Sequence, residues 1–347
     1  MLEHDRSNFL KLLQQFPGQI TSSVSLMKNF KTDVKAKNVR DLVIAGMGGS
    51  AISGDLLIGY MSSDLKIPAV VNRDYEIPNF VGENTLFVAL SYSGTTEETL
   101  TATRSALARK ATVIGISSGG ELQALCEENG CQHIKIEGGL PPRQALGYIF
   151  FPLLLLMEAA GFLKSQKAAI EETIQLIGEL DTRYDPKRSF GNNLANHIAQ
   201  SIYHAIPVCY SGTSYLSGIP VRWRNQFNEN SKVMAFSNVF PELNHNEIMG
   251  WEGLPEVNKH FRVIFLRCPD EHVRIKERIR ITKEILRKNK ILFGEVFAEG
   301  ESRLARMFSL IYTCDWASYY LAMLNGKDPI DIKSIDYLKQ KLSEATV

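Results

Sequence analysis

The sequence has little with which to cross-link itself or to hold a metal. Its five cysteines, Cys126, Cys131, Cys209, Cys268 and Cys314, are odd in number and form no C-x-x-C pair. A disulfide framework or zinc ribbon is therefore not expected, and a reducing compartment fits. An excess of charge is also missing: 39 basic residues face 38 acidic ones, for a net charge of +1. The electrostatic footprint of a nucleic-acid binder is absent from that total. No apolar run is long enough for a membrane. The strongest, Tyr148 to Met157, is closed by Glu158, whereas a bilayer takes roughly 20 residues. It is expected to be a buried core or interface helix. The opening residues Met1-Leu2-Glu3-His4-Asp5-Arg6 carry acids and no apolar stretch, so a signal peptide is not expected and the chain is expected to be cytoplasmic. What remains is ordinary globular composition, 44% hydrophobic and 22% charged over 347 residues, enough for two domains.

Strands and helices alternate along the chain. Residues 3 to 30 form a helical arm, with a break expected near Pro17-Gly18. Strands are expected at Asp41–Ala45, Ala69–Asn72, Thr85–Leu90, Thr112–Ser117 and His133–Ile136. Helices of about 10–15 residues between them argue a parallel α/β sheet. A helical connector, Lys164 to Tyr184, ends at Asp185-Pro186-Lys187 and marks a domain boundary. A second, weaker round follows: Ile206–Gly212, a turn at Thr213-Ser214-Tyr215-Leu216-Ser217-Gly218, a helix to Glu229, then strands at Val233–Phe236, Arg262–Leu266 and Ile291–Val296. The expected divisions are residues 1–163, the connector 164–190, and 191–347. A long helix, Arg303 to Leu324, and a C-terminal helix, Ile335 to Leu342, are expected to close the chain. The simplest architecture is two similar α/β halves facing each other.

Chemistry concentrates at strand ends, where parallel sheets place ligands. Ser91-Tyr92-Ser93-Gly94-Thr95-Thr96 follows the third strand and precedes a helix. Its hydroxyls, set at a helix N-terminus, suit an anion. It lacks the lysine and spacing of a nucleotide P-loop, so a small phosphomonoester fits better. The same stretch also satisfies a capping box on Thr95 and Glu98. Gly46-Met47-Gly48-Gly49-Ser50-Ala51 formally matches G-x-G-x-x-A. The acid expected about 20 residues on is missing, which argues against a dinucleotide; close approach of a sugar explains the glycines as well. Glu229 lies near a helix C-terminus, where a carboxylate is disfavoured; it is either a solvated or paired residue or a base for a carbon-bound proton. His245, between Asn244 and Asn246, is a proton shuttle or a surface histidine. It has no second histidine at metal-ligand spacing. His133, His197, His204, His260 and His272 stand alone and are expected to be structural. The run Arg274, Lys276, Arg278, Arg280 and Lys283 is interleaved with isoleucines and is a solvated helix face rather than a membrane or RNA surface.

The stretch Ser91 to Thr99 resembles the phosphate loop of sugar isomerase (SIS) domains, which bind phosphosugars on a flavodoxin-like parallel sheet. Five further motifs extend the resemblance over nearly the whole chain: Gly46 to Ser50, Pro141-Pro142-Arg143, Asn228-Glu229-Asn230, Glu242 to Glu247, and Ser334 to Lys339. Together they are similar to the bifunctional phosphoglucose/phosphomannose isomerase family. That resemblance implies two SIS subdomains, each a parallel sheet flanked by helices, and a homodimer with sites shared between subunits. It implies no metal and no cofactor. Carried over, Gly48, Gly49, Ser50, Ser91, Ser93 and Thr96 bind the phosphosugar. Arg143 stabilises an enediolate, Glu229 is the base, and His245 from the neighbouring subunit assists ring opening with Lys339. The implied reaction interconverts glucose 6-phosphate, and mannose 6-phosphate, with fructose 6-phosphate. One departure stands out. Many relatives carry Asp-Pro-Thr-Pro where this chain has Asp328-Pro329-Ile330-Asp331, so a threonine associated with the mannose epimer is absent. Two other readings are a phosphosugar sensor without chemistry and an aminosugar-phosphate isomerase. The presence of Glu229, His245 and Arg143 argues against the first. The lack of an amide-transfer domain or a base lysine in another motif argues against the second.

Overall fold

The computed structural model describes residues 2–187, 193–212 and 214–345. The chain opens with α1 (Phe9–Gln14) and α2 (Phe16–Met27). It continues through β1 (Asp41–Ala45), α3 (Gly48–Met61), β2 (Ala69–Asn72), β3 (Thr85–Leu90), α4 (Glu97–Ala108), β4 (Thr112–Ser117), α5 (Gly120–Glu128) and β5 (Gln132–Lys135). Three helices follow: α6 (Leu146–Ala159), α7 (Lys167–Tyr184) and α8 (Leu194–Ser201). The second round is β6 (Ile206–Gly212), α9 (Ile219–Gln226), β7 (Phe236–Phe240), α10 (Pro255–Asn258), β8 (Phe261–Arg267), α11 (Val273–Lys288) and β9 (Leu292–Phe297), closed by α12 (Arg303–Leu324) and α13 (Lys333–Glu344).

Two parallel sheets result, ordered β2-β1-β3-β4-β5 and β7-β6-β8-β9. The weak repeat in the sequence is thus a repeat of strand order, with no counterpart of β5 in the second sheet among the described residues. The central strand β3 is buried along all six residues, as an apolar run covered on both faces should be. One apolar cluster joins the halves through α6 and α12. The α6 run is buried, with Pro152 inside the helix, so it is the core helix its composition requires. The arm packs against α12: Phe9 stacks on Tyr319 at 6.3 Å, and Phe16 on Tyr312 at 5.6 Å. The arm of the first half therefore rests on the last long helix of the second. No helix among the described residues is long and apolar enough to cross a membrane.

Several details differ from expectation. The break in the arm falls at Gln15, one step before Phe16. Pro17 instead sits in the first turn of α2, where its missing N–H costs nothing. The connector helix begins at Lys167, not Lys164. The strand expected at Val233–Phe236 runs from Phe236 to Phe240. Residues 227 to 231 continue the helix as a π-turn, Lys232 adopts a left-handed conformation, and the Val233 N–H donates back to the Phe227 carbonyl. That reversal uses up the apolar residues that looked like a strand. In the turn after β6, Ser214–Leu216 is a short 3-10 helix, while Thr213 lies outside the described residues, as do residues 188 to 190 at the end of the connector.

Candidate active site

The hydroxyl loop is built from its own side chains. Ser91, at the end of β3, is 1% exposed. Its Oγ donates to Thr96 Oγ1 at 2.9 Å and accepts from the Gly94 N–H at 3.1 Å. Ser93 Oγ accepts from Thr95 Oγ1 at 3.0 Å. Gly94 has φ 75°, and a Cβ there would lie 1.8 Å from the Gly119 carbonyl oxygen. Only glycine lets the loop close on the turn before α5. The N-cap of α4 is Thr96, not Thr95, and no side chain caps it. The capping-box reading therefore falls. Ser93 and Thr95 face outward, while Ser91 organises the loop from beneath.

The glycine loop packs beside it. A Cβ at Gly46 would lie 2.9 Å from the Leu90 carbonyl oxygen, and one at Gly49 would lie 2.8 Å from the Pro142 carbonyl oxygen. These two glycines are explained by the chain's own close approaches. Gly48 has φ 49° and open space around its Cβ position, so it is the glycine past which a ligand can approach. Ser50 Oγ accepts from the Tyr92 N–H at 3.3 Å, which brings the two loops together. The Tyr92 hydroxyl in turn accepts from the Leu140 N–H at 3.0 Å. The hydroxyl loop thereby also anchors the segment that carries Arg143.

Arg143 is 5% exposed. Its Nε donates to Asn230 Oδ1 at 2.7 Å, and Nη2 donates to the Pro329 and Ile330 carbonyls at 2.7 and 3.3 Å. A guanidinium has five N–H groups, so the Nη1 pair is left, and Nη1 lies 3.6 Å from Glu229 Oε2. Burial holds this guanidinium below its usual basicity, and the Glu229 carboxylate partly offsets that. Beneath it, Arg222 Nη2 donates to the Arg143 carbonyl at 3.2 Å and to both oxygens of Asp315 at 2.9 and 2.8 Å. Burial pushes the Asp315 carboxyl up, while Arg222 and Gln226 pull it back.

Glu229 stands on the π-turn Phe227–Ser231, a rare geometry frequent at functional sites. Neighbouring Asn230 is fully buried, its Nδ2 donating to Ser318 Oγ at 2.9 Å. The turn thus anchors one side chain in the core and presents the next, with Glu229 31% exposed. Glu229, Asn228, Lys232 and Asp331 line a cavity of about 590 Å³ whose rim includes the start of α13. The hydroxyl loop is not part of that lining. Lys232 was not among the residues expected to act, because a lysine after Ser231 carries no motif. Its ammonium lies 2.8 Å from the Glu229 carbonyl.

The remaining candidates stand apart. His245 ends a short 3-10 helix and is exposed. Lys339 lies on α13, none of whose residues is buried. No hydrogen bond or ion pair joins either to Arg143 or Glu229 among the described residues. Of the histidines expected to be structural, His133 Nε2 pairs with Ser117 Oγ at 2.8 Å, and His272 Nδ1 accepts from the Arg274 N–H at 3.1 Å to cap α11.

The comparisons agree in one direction. Residues 36–137 match the SIS domain model, and residues 191–342 match that of the bacterial phospho-glucose isomerase C-terminal SIS domain. A bifunctional phosphoglucose/phosphomannose isomerase from Caldicellulosiruptor bescii is 42% identical over 328 residues, covering 94% of this chain and 97% of that one. One of the same name from Thermoplasma acidophilum is 39% identical, covering 87% and 90%. Among solved structures, a hypothetical protein from Thermus thermophilus superposes with TM-score 0.75 at 15% identity, over 98% of this chain and 91% of that one.

Proposed function

We infer the reaction from one premise: the chain belongs to the bifunctional phosphoglucose/phosphomannose isomerase family. It is an intramolecular oxidoreductase that interconverts glucose 6-phosphate, and mannose 6-phosphate, with fructose 6-phosphate. The observation that carries the site assignment is the buried Arg143 guanidinium, whose Nη1 edge faces Glu229 at 3.6 Å.

On this reading each candidate residue has a role. Gly48, Ser50, Ser93 and Thr96 meet the phosphate, with Gly49 and Ser91 shaping the two loops. Phosphate binding away from the reacting carbons supplies orientation that the chemistry can use. In the open-chain aldose, the Glu229 carboxylate takes the proton from C2. The C2–H electron pair forms the C1–C2 double bond, and the carbonyl pair moves onto the C1 oxygen as a cis-enediolate. Arg143 Nη1 meets that charge. A proton passes from the C2 hydroxyl to the C1 oxygen, the C2 oxygen's pair forms the ketone, and the double-bond pair takes the proton back from Glu229 at C1. His245 from a second subunit and Lys339 assist ring opening. The reading carries with it a homodimer, a cytoplasmic setting, no cofactor, and the division into residues 1–163, 164–190 and 191–347. His245's exposure, with no hydrogen bond or ion pair to Arg143 or Glu229 among the described residues, supports its acting across a two-fold interface.

Purified protein assayed by coupled reduction with glucose 6-phosphate and mannose 6-phosphate tests the activity. Turnover of neither sugar contradicts it. The shared site has its own test. Glu229→Gln and His245→Ala homodimers are each expected to be nearly inactive. In a mixed dimer one site collects both defects and the other neither. Random pairing makes about half the dimers mixed, so roughly a quarter of wild-type activity should return on co-expression. Activity that stays at the mutant level in dimers verified by two affinity tags would place both residues in one chain's site.

A further inference from the structure

Lys232 occupies a backbone position that a lysine seldom takes. It ends the π-turn with φ 56° and ψ 40°, a left-handed conformation for which glycine or asparagine is the ordinary choice. Its side chain folds back over the turn. Nζ turns back to lie 2.8 Å from the Glu229 carbonyl and 3.3 Å from that of Asn230. It also lies 2.9 Å from the Asp328 carbonyl and 3.0 Å from that of Pro329. The first two carbonyls belong to the turn that carries Glu229. The other two belong to the segment between α12 and α13.

The Pro329 carbonyl accepts from Arg143 Nη2 as well. Lys232 and Arg143 thus share an acceptor, and the ammonium links the Glu229 turn to the segment that holds the guanidinium. An ammonium brings three N–H donors to this ring of oxygens, whereas an amine brings only two and adds a lone pair that the oxygens repel. The link therefore depends on the charge. We propose that Lys232 is a positioning residue for the isomerisation: its ammonium clamps the Glu229 turn to the Asp328–Pro329 segment and keeps base and guanidinium in register over the cavity. The proposal rests on the reading of Glu229 as the base.

The electrostatic setting gives the clamp a working range. Burial lowers the Lys232 ammonium to about 8, and Arg143 adds to that, while Asp331, Asp328 and Glu229 act in the opposite sense. Arg143 faces it from the turn before α6, Glu229 from its own turn, and Asp328 and Asp331 from the segment before α13. Lys327 and Lys333 complete the charged lining of the cavity. The protonated form holds below that value. As pH rises through it the clamp loses its charge, so turnover should fall.

The test compares wild type with Lys232→Met and Lys232→Arg in fructose 6-phosphate isomerisation from about pH 6.5 to about pH 9.5. Lys232→Met is expected to lose about 100-fold in kcat with KM within about threefold, as misplaced reacting groups do. It should also lack the wild-type decline near pH 8. Lys232→Arg, which keeps its charge, should retain more of kcat and move the decline upward. A Lys232→Met enzyme with the wild-type alkaline decline, whatever its kcat, would overturn the proposal. So would a variant whose only change is in KM. If Lys232→Met fails to fold, ¹⁵N NMR of lysine Nζ in the wild type decides. A signal titrating near 8 and missing in Lys232→Arg is expected; no lysine titrating below about 9.5 would overturn the clamp. A wild type that isomerises no phosphosugar would instead sink the functional reading, and the Nζ titration would still decide the clamp.

Discussion

The two halves run one strand order to different ends. In the first, β3 leads into Ser91-Tyr92-Ser93-Gly94-Thr95-Thr96 and then α4. The topological counterpart in the second is β8, which leads into Cys268-Pro269-Asp270-Glu271-His272 and then α11. The first loop is rich in hydroxyls around an open helix N-terminus. The second is acidic and already filled. Glu271 accepts from its own Cys268 N–H at 3.1 Å and from Arg267 Nε at 2.9 Å. Asp270 accepts from the Tyr215 hydroxyl at 2.7 Å. A carboxylate of the chain stands where the other half leaves room for an anion. The second half puts its distinctive geometry elsewhere, on the π-turn that presents Glu229. In the proposed reaction one half binds the phosphate and the other supplies the base.

Several changes should break this division, starting with the largest effect. Glu229→Gln removes the proton acceptor while keeping shape, and kcat should fall by about 10³-fold or more, read in the coupled assay. Arg143→Lys keeps a charge but not the fork that serves Asn230, Pro329 and Glu229. A loss of about 10²-fold in kcat is expected, checked beside a thermal melt. The double change Ser93→Ala with Thr96→Ala should raise KM for fructose 6-phosphate by about tenfold or more and leave kcat within a few-fold. An unchanged KM would return the loop to a structural role. Its mirror in the other half, Glu271→Ala, should leave KM alone and lower the melting temperature, because it strips a partner from Arg267. Gly94→Ala forces a side chain into a left-handed position against the Gly119 carbonyl. It should cost at least about 1–3 kcal/mol in denaturant unfolding.

Much of this was legible in the residues, and the gaps have physical causes. Four of the five strands of the first sheet fall where the apolar runs place them, because a buried parallel strand is a short run bounded by turns. The hydroxyl loop was legible because four hydroxyls exceed what one cap needs. The partners of Arg143 were not. Asn230, Pro329 and Ile330 lie 87 to 187 residues away in sequence, and no local pattern records such contacts. Lys232 carries no signal in the sequence, because its place depends on a left-handed turn and a side chain folded back on carbonyls. The same turn displaced β7 by three residues from its expected start. Arg222 and Asp315 form a buried pair on different helices, which spacing along one helix cannot reveal.

The most direct test follows the C2 proton of the bound aldose into deuterated water, at saturating glucose 6-phosphate, in two variants side by side. The hydroxyl-loop double variant should exchange that position at close to the wild-type rate once saturated. Glu229→Gln should bind the sugar and exchange none of it. Exchange at the wild-type rate in Glu229→Gln would contradict the account, because the proton would then be moving through another group.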